Sequence, residues 1–178
     1  VIGNSNEICF LISILKYLRT PADLANRALV LSYYYKIQGE ICPEELFFNC
    51  NSSNSLTELL GIDPNLVPEL NEAKLSALPL YDCIECLIKI FKLGENGNKV
   101  NYLVAFQDLV YNFTNRISNS LSDFLDKWDE KLHTNTITLS ENIDAVRIMT
   151  IHKSKGLQFK HVIIPFFNWD FHKPNYTM

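Results

Sequence analysis

The sequence predicts a mainly α protein, in which a multi-helix body is followed near the C-terminus by a small, partial α/β sheet. Apolar residues recur at helical spacing as far as His133, and after Thr134 the spacing shortens to alternation. Two apolar runs typical of buried strands then flank a polar turn between residues 145 and 165. The chain has 178 residues, of which 47% are hydrophobic and 12% aromatic, enough for a real core.

The first two helices are expected to form a hairpin. Ser5 or Asn6 can cap the first helix, and the second opens with Thr20 as its cap and Pro21 in its first turn, then continues to Gly39. The apolar positions of the first helix follow i, i+3, i+4 spacing on one wide face: Ile8, Leu11, Ile12, Leu15 and Leu18.

The middle of the chain predicts short helices over 43–48 and 56–60, and a weaker one that ends near Leu78. Asp63, Pro64 and Pro68 interrupt this region, which we interpret as a connector.

Longer helices return at Pro79. One runs from there to Gly94, and a second follows with apolar residues at helical spacing. The last begins at Ser120 or Ser122, with Asp123 in its first turns, where the helix dipole favours an acid.

The residues after Thr134 predict strands. Residues 136–139 alternate and indicate an edge strand. Val146, Ile148 and Ile151 open a buried strand, and 162–164 supply the next. A fragment of sheet is therefore expected to follow the helical body.

Positive charge is concentrated in the same C-terminal segment. The net charge is −4, but residues 145–178 contain five basic residues and one acid, whereas residues 1–144 contain 11 basic and 19 acidic residues. The C-terminal segment is therefore +4 and the rest −8. Any phosphate contact is expected near the C-terminal turn.

That turn carries the candidate functional residues. An apolar strand that ends in a hydroxyl, an imidazole, two ammonium groups and a glycine is typical of a phosphate-facing loop in an α/β domain. The residues are Thr150, His152, Lys153, Lys155 and Gly156. Side chains alternate along a strand, so Thr150 and His152 are expected on one side and Ile151 on the other.

The run Val-x-Ile-Met-Thr-Ile-His-x-x-Lys-Gly-Leu-x-Phe at 146–159 resembles motif V of the UvrD/Rep-like superfamily 1 DNA helicases. The wording Thr-Ile-His-Lys-Ser-Lys-Gly is most similar to the RecB and AddA type of helicase–nuclease. In these helicases a large helical subdomain interrupts the second RecA-like domain before motif V, and residues 15–28 look like the segment beyond motif IV. The resemblance implies a 2B-like helical insertion with its leading segment over 1–140, and a partial 2A-like motor domain over 141–178.

The resemblance also implies roles for the turn. Thr150 and His152 would contact single-stranded DNA. Lys153 and Lys155 add positive charge to the same DNA-binding edge, and the backbone freedom of glycine lets the amides of Gly156 and Leu157 approach a phosphate. Gln158 stands where the family usually has a Glu near the ribose of ATP, and its amide can hydrogen-bond a hydroxyl without charge. Without the motif, the alternatives are a capping Thr150 and a core-edge His152. Lys155 matches a recurring family position, whereas Lys153 is less constrained and is interpreted first as a solvated lysine.

The expected function is therefore that of a fragment of an ATP-dependent DNA helicase or helicase–nuclease of repair or recombination. ATP and Mg²⁺ would serve the parent protein, whereas the fragment lacks a Walker A motif, holds no catalytic residue and needs no cofactor. Expected partners are single-stranded DNA, junctions of single and double strands, the N-terminal RecA-like domain and a helicase–nuclease partner subunit, with no membrane. The alternative is a stand-alone helical protein-interaction module without activity.

The five cysteines favour a reducing cytoplasm, because their number is odd and no secretory signal is recognisable. Cys83 and Cys86 have metal-ligand spacing, but Cys42 and Cys50 do not form a second close pair. We interpret Cys83 and Cys86 as packing residues and expect no metal site.

Overall fold

The computed structural model describes residues 1–50, 55–95, 100–136, 146 and 148–165. The chain divides into two compact units, Val1–Leu139 and Ser140–Met178. The first unit contains eight described α-helices: α1 Asn6–Arg19, α2 Leu24–Gln38, α3 Glu44–Asn49, α4 Leu56–Leu60, α5 Glu72–Ala77, α6 Leu80–Ile90, α7 Val100–Arg116 and α8 Leu121–Glu130. The second contains α9 Ile151–Ser154. None of the helices in these ranges is long and apolar enough to cross a membrane.

Helix α1 is the central element of the first unit. It contacts α2, α6, α7 and α8. Ile8 and Leu11 are fully buried on one side, and Phe10, Ser13 and Tyr17 are buried on the opposite side of the helix. The buried surface of α1 is therefore larger than the single wide apolar face that was expected. A helix with neighbours on several sides is apolar nearly all round.

The predicted start of α2 was wrong. Asp23, not Thr20, is the N-cap, and its side chain accepts a hydrogen bond from the Ala25 amide at 2.9 Å. Thr20 instead ends α1, where its amide donates to the Lys16 carbonyl. The end of α2 was predicted correctly, since Gly39 adopts the left-handed conformation with φ +80°.

An aromatic cluster joins α7 to α8. The Phe124 ring lies 5.2 Å from Phe113 and 6.3 Å from Phe106, and Phe106 lies 5.6 Å from Trp128, all measured between ring centroids. All four side chains are buried. Ser120 caps α8, as one of the two predicted positions, by accepting a hydrogen bond from the Asp123 amide.

A polar network ties α1 to α4 and α5. Tyr17 on α1 donates its phenolic hydrogen to Glu72 at 3.2 Å, and the amide of Leu56 donates to the same carboxylate. Burial and the Glu72 carboxylate raise the pKa of Tyr17 to about 12. Tyr17 therefore keeps its proton, and its donor role, throughout the physiological pH range.

Residues 2–3 and 133–135, near the two ends of the described part of the first unit, contact each other. The Ile2 amide donates to the Asn135 carbonyl at 2.8 Å. A Cβ atom on Gly3 would lie 2.7 Å from the His133 carbonyl oxygen, a distance that backbone atoms do not tolerate. Glycine is therefore required at position 3 for this close approach.

The predicted sheet is not seen among the described residues. Residues 146, 148–150 and 161–164 form no strand, and Ile151 begins α9. Ile148 and Ile163 are 96% and 86% exposed, so neither is buried as a central strand requires. An apolar run becomes a strand only when a neighbouring strand satisfies its backbone groups, and the described residues of this unit offer none. Most of the predicted edge strand, 137–139, lies outside the described residues.

Lys92 provides a test of local strain, because it follows α6 with φ +51°, a left-handed conformation that disfavours a side chain. We expect Lys92→Gly to raise the free energy of unfolding by about 0.5–1 kcal/mol, since the relieved strain exceeds the added chain entropy of glycine. Urea denaturation followed by circular dichroism measures the change.

The matched control is Lys89→Gly, the same substitution inside α6. It should lower the free energy of unfolding by about 1 kcal/mol. A loss of stability in Lys92→Gly similar to that in Lys89→Gly would contradict the assignment of strain to position 92.

Candidate nucleic-acid interface

The candidate turn is built around the single-turn helix α9. Thr150 caps it with an extended backbone, φ −76° and ψ 155°, and its hydroxyl accepts a hydrogen bond from the Lys153 amide at 3.4 Å. The Thr150 carbonyl also accepts from the amides of Lys153 and Ser154, at 3.0 and 3.1 Å. Thr150 is therefore a capping threonine, the alternative that its sequence position left open.

The expected alternation of side chains across this segment was wrong. Ile151, His152 and Lys153 are successive residues of a helical turn, so their side chains point about 100° apart around its axis. His152 and Thr150 are consequently not related as neighbours on one face of a strand. The helical turn spreads the imidazole and the Lys153 ammonium over adjacent directions.

Gly156 ends the turn in a left-handed conformation with φ +85°. Nothing lies within 4 Å of the position where a Cβ atom would stand, so glycine is needed here for its backbone angles and not for space. The Leu157 amide donates to the Ser154 carbonyl at 3.0 Å. In this conformation the Leu157 amide is engaged within the turn, whereas the sequence analysis assigned it to a phosphate.

All the candidate side chains lie at the surface. Thr150, His152, Lys153, Lys155 and Gln158 are exposed. A core-edge His152 is therefore not what the structure contains, and the solvated alternative for Lys153 agrees with its exposure. The exposed groups can be reached by a ligand without rearrangement of a core.

The electrostatic character of this segment is positive. Residues 146–165 include Arg147, Lys153, Lys155 and Lys160 and no acidic residue. Lys160 and His161, which the sequence analysis did not assign to the site, are also exposed. The absence of acids from the whole segment was the sequence signal for including them, because a phosphate responds to the summed potential and not to a motif.

The cysteine pair on α6 is a packing feature. Cys83 is buried and Cys86 half-buried. Burial raises the pKa of the Cys83 thiol to about 12, which agrees with a buried, neutral thiol. Within the described ranges, no three histidine, cysteine, aspartate or glutamate residues group to hold a metal ion.

Comparison with known proteins connects this geometry to a family. The family model for the UvrD-like helicase C-terminal domain matches residues 44–176, which are 133 of the 178 residues and include the whole turn. No curated protein and no solved structure matches the chain. The family match covers helices α3 to α9. The chain therefore belongs to the UvrD-like helicase C-terminal domain family.

Proposed function

We propose that this chain works within an ATP-dependent DNA helicase or helicase–nuclease of DNA repair or recombination, and that residues 150–160 supply part of its contact with single-stranded DNA. Family membership supports the helicase relationship and DNA as the general partner. The observation that carries the proposal is an exposed, acid-free turn with several cationic groups inside the matched range.

Each residue of the turn has a chemical role in the proposal. The Lys153 and Lys155 ammonium groups attract phosphates and release condensed counterions. The His152 imidazole can hydrogen-bond a phosphate or a base without fixing the sequence. The Thr150 hydroxyl accepts the capping bond, so its own hydrogen remains able to donate to a phosphate.

The proposed domain boundaries also follow from the family relationship. We propose residues 1–140 as the 2B-like helical insertion and 141–178 as part of the 2A-like motor domain. An inserted subdomain must leave and rejoin its host at one place. The backbone hydrogen bond between Ile2 and Asn135 supports this arrangement, because it brings the two ends of the helical unit together.

The nucleotide chemistry is assigned to the parent protein. ATP bound with Mg²⁺ would supply the energy of translocation, and this sequence contains no Walker A motif for its phosphates. Gln158 is exposed, and its amide can hydrogen-bond a ribose hydroxyl without charge. We therefore propose coupling of nucleotide state to DNA through this turn, and no ATP hydrolysis by the 178 residues alone.

We propose the type of the parent helicase from the amino-acid sequence of the turn. The Thr-Ile-His-Lys-Ser-Lys-Gly sequence supports a protein of the RecB and AddA type, which would work at junctions of single and double strands with a partner subunit.

Binding of single-stranded DNA tests the proposed role of the turn. We expect weak, salt-sensitive binding of a fluorescein-labelled oligothymidylate, with the dissociation constant raised about three- to tenfold in the double variant His152→Ala, Lys155→Ala. Fluorescence anisotropy at several salt concentrations measures it. The salt dependence should also become shallower by about 0.7 in log–log slope, because one ammonium–phosphate contact is lost.

The charge-matched control is Lys131→Ala, an exposed lysine of the helical unit. Its affinity and salt slope should equal those of the unchanged chain. Equal losses in the control and in the double variant would assign the binding to net charge and refute a role for the turn.

A further inference from the structure

A groove with a volume of about 690 Å³ follows one face of α7. Its opposite bank contains Ile2 and Leu132, near the two ends of the described part of the first unit. Residues four apart on a helix form a ridge, and two such ridges of α7 line the groove. One ridge is apolar and includes Leu109 and Ile117, and the other is polar. The groove is therefore an amphipathic surface of a single helix.

The polar ridge consists of Asp108, Asn112 and Arg116, all of which are exposed. Among the residues that the structure describes, the Asp108 carboxylate and the Arg116 guanidinium have no hydrogen-bond or ion-pair partner. The Asn112 side chain donates one hydrogen bond to the Asp108 carbonyl at 2.8 Å, which leaves its oxygen and its second hydrogen unused. The ridge thus presents a negative, a neutral and a positive group in a row, each with free bonding capacity.

This order of charges is complementary to itself. When the ridge is turned end to end about Asn112, Asp108 takes the position of Arg116 and Arg116 takes that of Asp108. A two-fold axis at Asn112 therefore places the carboxylate of each copy opposite the guanidinium of the other, and the same ion pair forms twice. A ridge with two like charges would instead be repelled by its own copy, so the arrangement favours a second copy of the chain as the partner.

The rules of helix packing allow this pairing. Ridges of residues four apart interdigitate when two helices cross at about −50°. The two polar ridges then lie side by side and antiparallel, with an apolar ridge on each flank. Ile117, which is 65% exposed, and the half-buried Leu109 lose contact with solvent in this arrangement. The contact is confined to about three turns of one helix, so it is smaller than the interface of a stable dimer and the association is weak.

We propose that α7 pairs with α7 of a second copy of this chain across a two-fold axis at Asn112, with Asp108 of each copy bound to Arg116 of the other. The apolar ridges add contact area. The two ion pairs fix the antiparallel orientation, because a parallel arrangement would bring Asp108 against Asp108. The pairing does not depend on the DNA contact proposed for residues 150–160.

Sedimentation velocity of the 178-residue chain at concentrations up to about 0.5 mM tests the proposal. We expect an equilibrium between monomer and dimer with a dissociation constant on the order of 0.1–1 mM, which rises as salt is raised from about 0.05 to 0.5 M. A two-fold interface closes at two copies. A chain that stays monomeric, or one that forms larger assemblies in place of a dimer, would overturn the proposal.

Charge reversal separates the proposed pairing from other modes of association. Asp108→Arg and Arg116→Asp each place two like charges at both symmetric contacts, so the dissociation constant should rise at least about tenfold. The double variant Asp108→Arg, Arg116→Asp exchanges the two roles and should return to within about threefold of the unchanged chain. An equal mixture of the two single variants should also dimerise, because each supplies the charges that the other lacks. No rise in the single variants, or no recovery in the double variant and the mixture, would refute the contact.

The matched control is Asp82→Arg on α6, because Asp82 is exposed and does not line the groove. It makes the same change of net charge as Asp108→Arg and should leave the dissociation constant unchanged. Circular dichroism checks that the variants fold, which is expected since every substituted residue is exposed. A rise in Asp82→Arg equal to that in Asp108→Arg would assign the effect to net charge and contradict the pairing.

Discussion

Phe124→Ala should lower the free energy of unfolding by about 3–5 kcal/mol, the cost of removing a large aromatic side chain from a core. The Phe124 ring is fully buried and contacts Phe106, Phe113 and Trp128. Its loss removes apolar burial and leaves a cavity between α7 and α8, which rigid neighbouring rings fill only in part. Since small domains are stable by about 5–15 kcal/mol, this change uses a large share of the total.

Guanidinium denaturation followed by tryptophan fluorescence and circular dichroism measures the effect. Tyr111→Ala is the control, because Tyr111 is 57% exposed and has its ring contact with Tyr81 outside the cluster. It should cost less than about 1 kcal/mol. Similar losses in the two variants would mean that the α7–α8 cluster does not hold the core together.

Glu72→Ala should lower the free energy of unfolding by about 2–3 kcal/mol, because one carboxylate satisfies two donors from different elements. The Leu56 amide and the Tyr17 hydroxyl both donate to it. Hydrogen bonds to charged groups contribute about 1.5–3 kcal/mol, and a buried donor left without a partner adds a desolvation cost.

Two comparisons separate the network from the loss of a negative charge. Glu69→Ala, at an exposed glutamate just before α5, should change stability by less than about 0.5 kcal/mol. Tyr17→Phe removes one donor and leaves the carboxylate, so it should cost about 1 kcal/mol. Urea denaturation at pH 7 measures all three, and equal values for Glu69→Ala and Glu72→Ala would contradict the network.

The sequence predicted the helices well because their signals are local. The 3.6-residue period and the caps at Ser120 and Gly39 depend on neighbouring residues, and both caps stand where they were expected. The start of α2 failed for an equally local reason. Thr20 and Asp23 are both good caps, and the pattern contained no means of choosing between them.

Local sequence patterns could not predict whether the sheet forms. Val162 and Ile163 have strong strand propensity, yet propensity in a strand reflects packing against neighbours that are distant in sequence. The described residues provide no such neighbours, and these side chains are exposed. An apolar run thus indicates that a segment is suited to a buried strand. The strand forms only if other parts of the chain provide neighbouring strands.

The candidate turn was located from the sequence, but its geometry was not. Charge and glycine spacing identified Lys153, Lys155 and Gly156 as one surface feature, and the left-handed Gly156 agrees with that interpretation. The capping bond of Thr150 follows from a helical turn that alternation had excluded. Residue chemistry was therefore easier to predict than the directions in which the side chains point.

The pairing of Ile2 with Asn135 has a mechanical consequence. A pulling force applied along the chain near residues 1 and 136 reaches this bond, the Gly3–His133 contact and the buried Ile2 side chain before it reaches α1. These contacts join short segments, whereas α1 is packed among four other helices. The helical unit should thus extend in two steps, an early small release at the junction and a later large one when the core of α1 gives way.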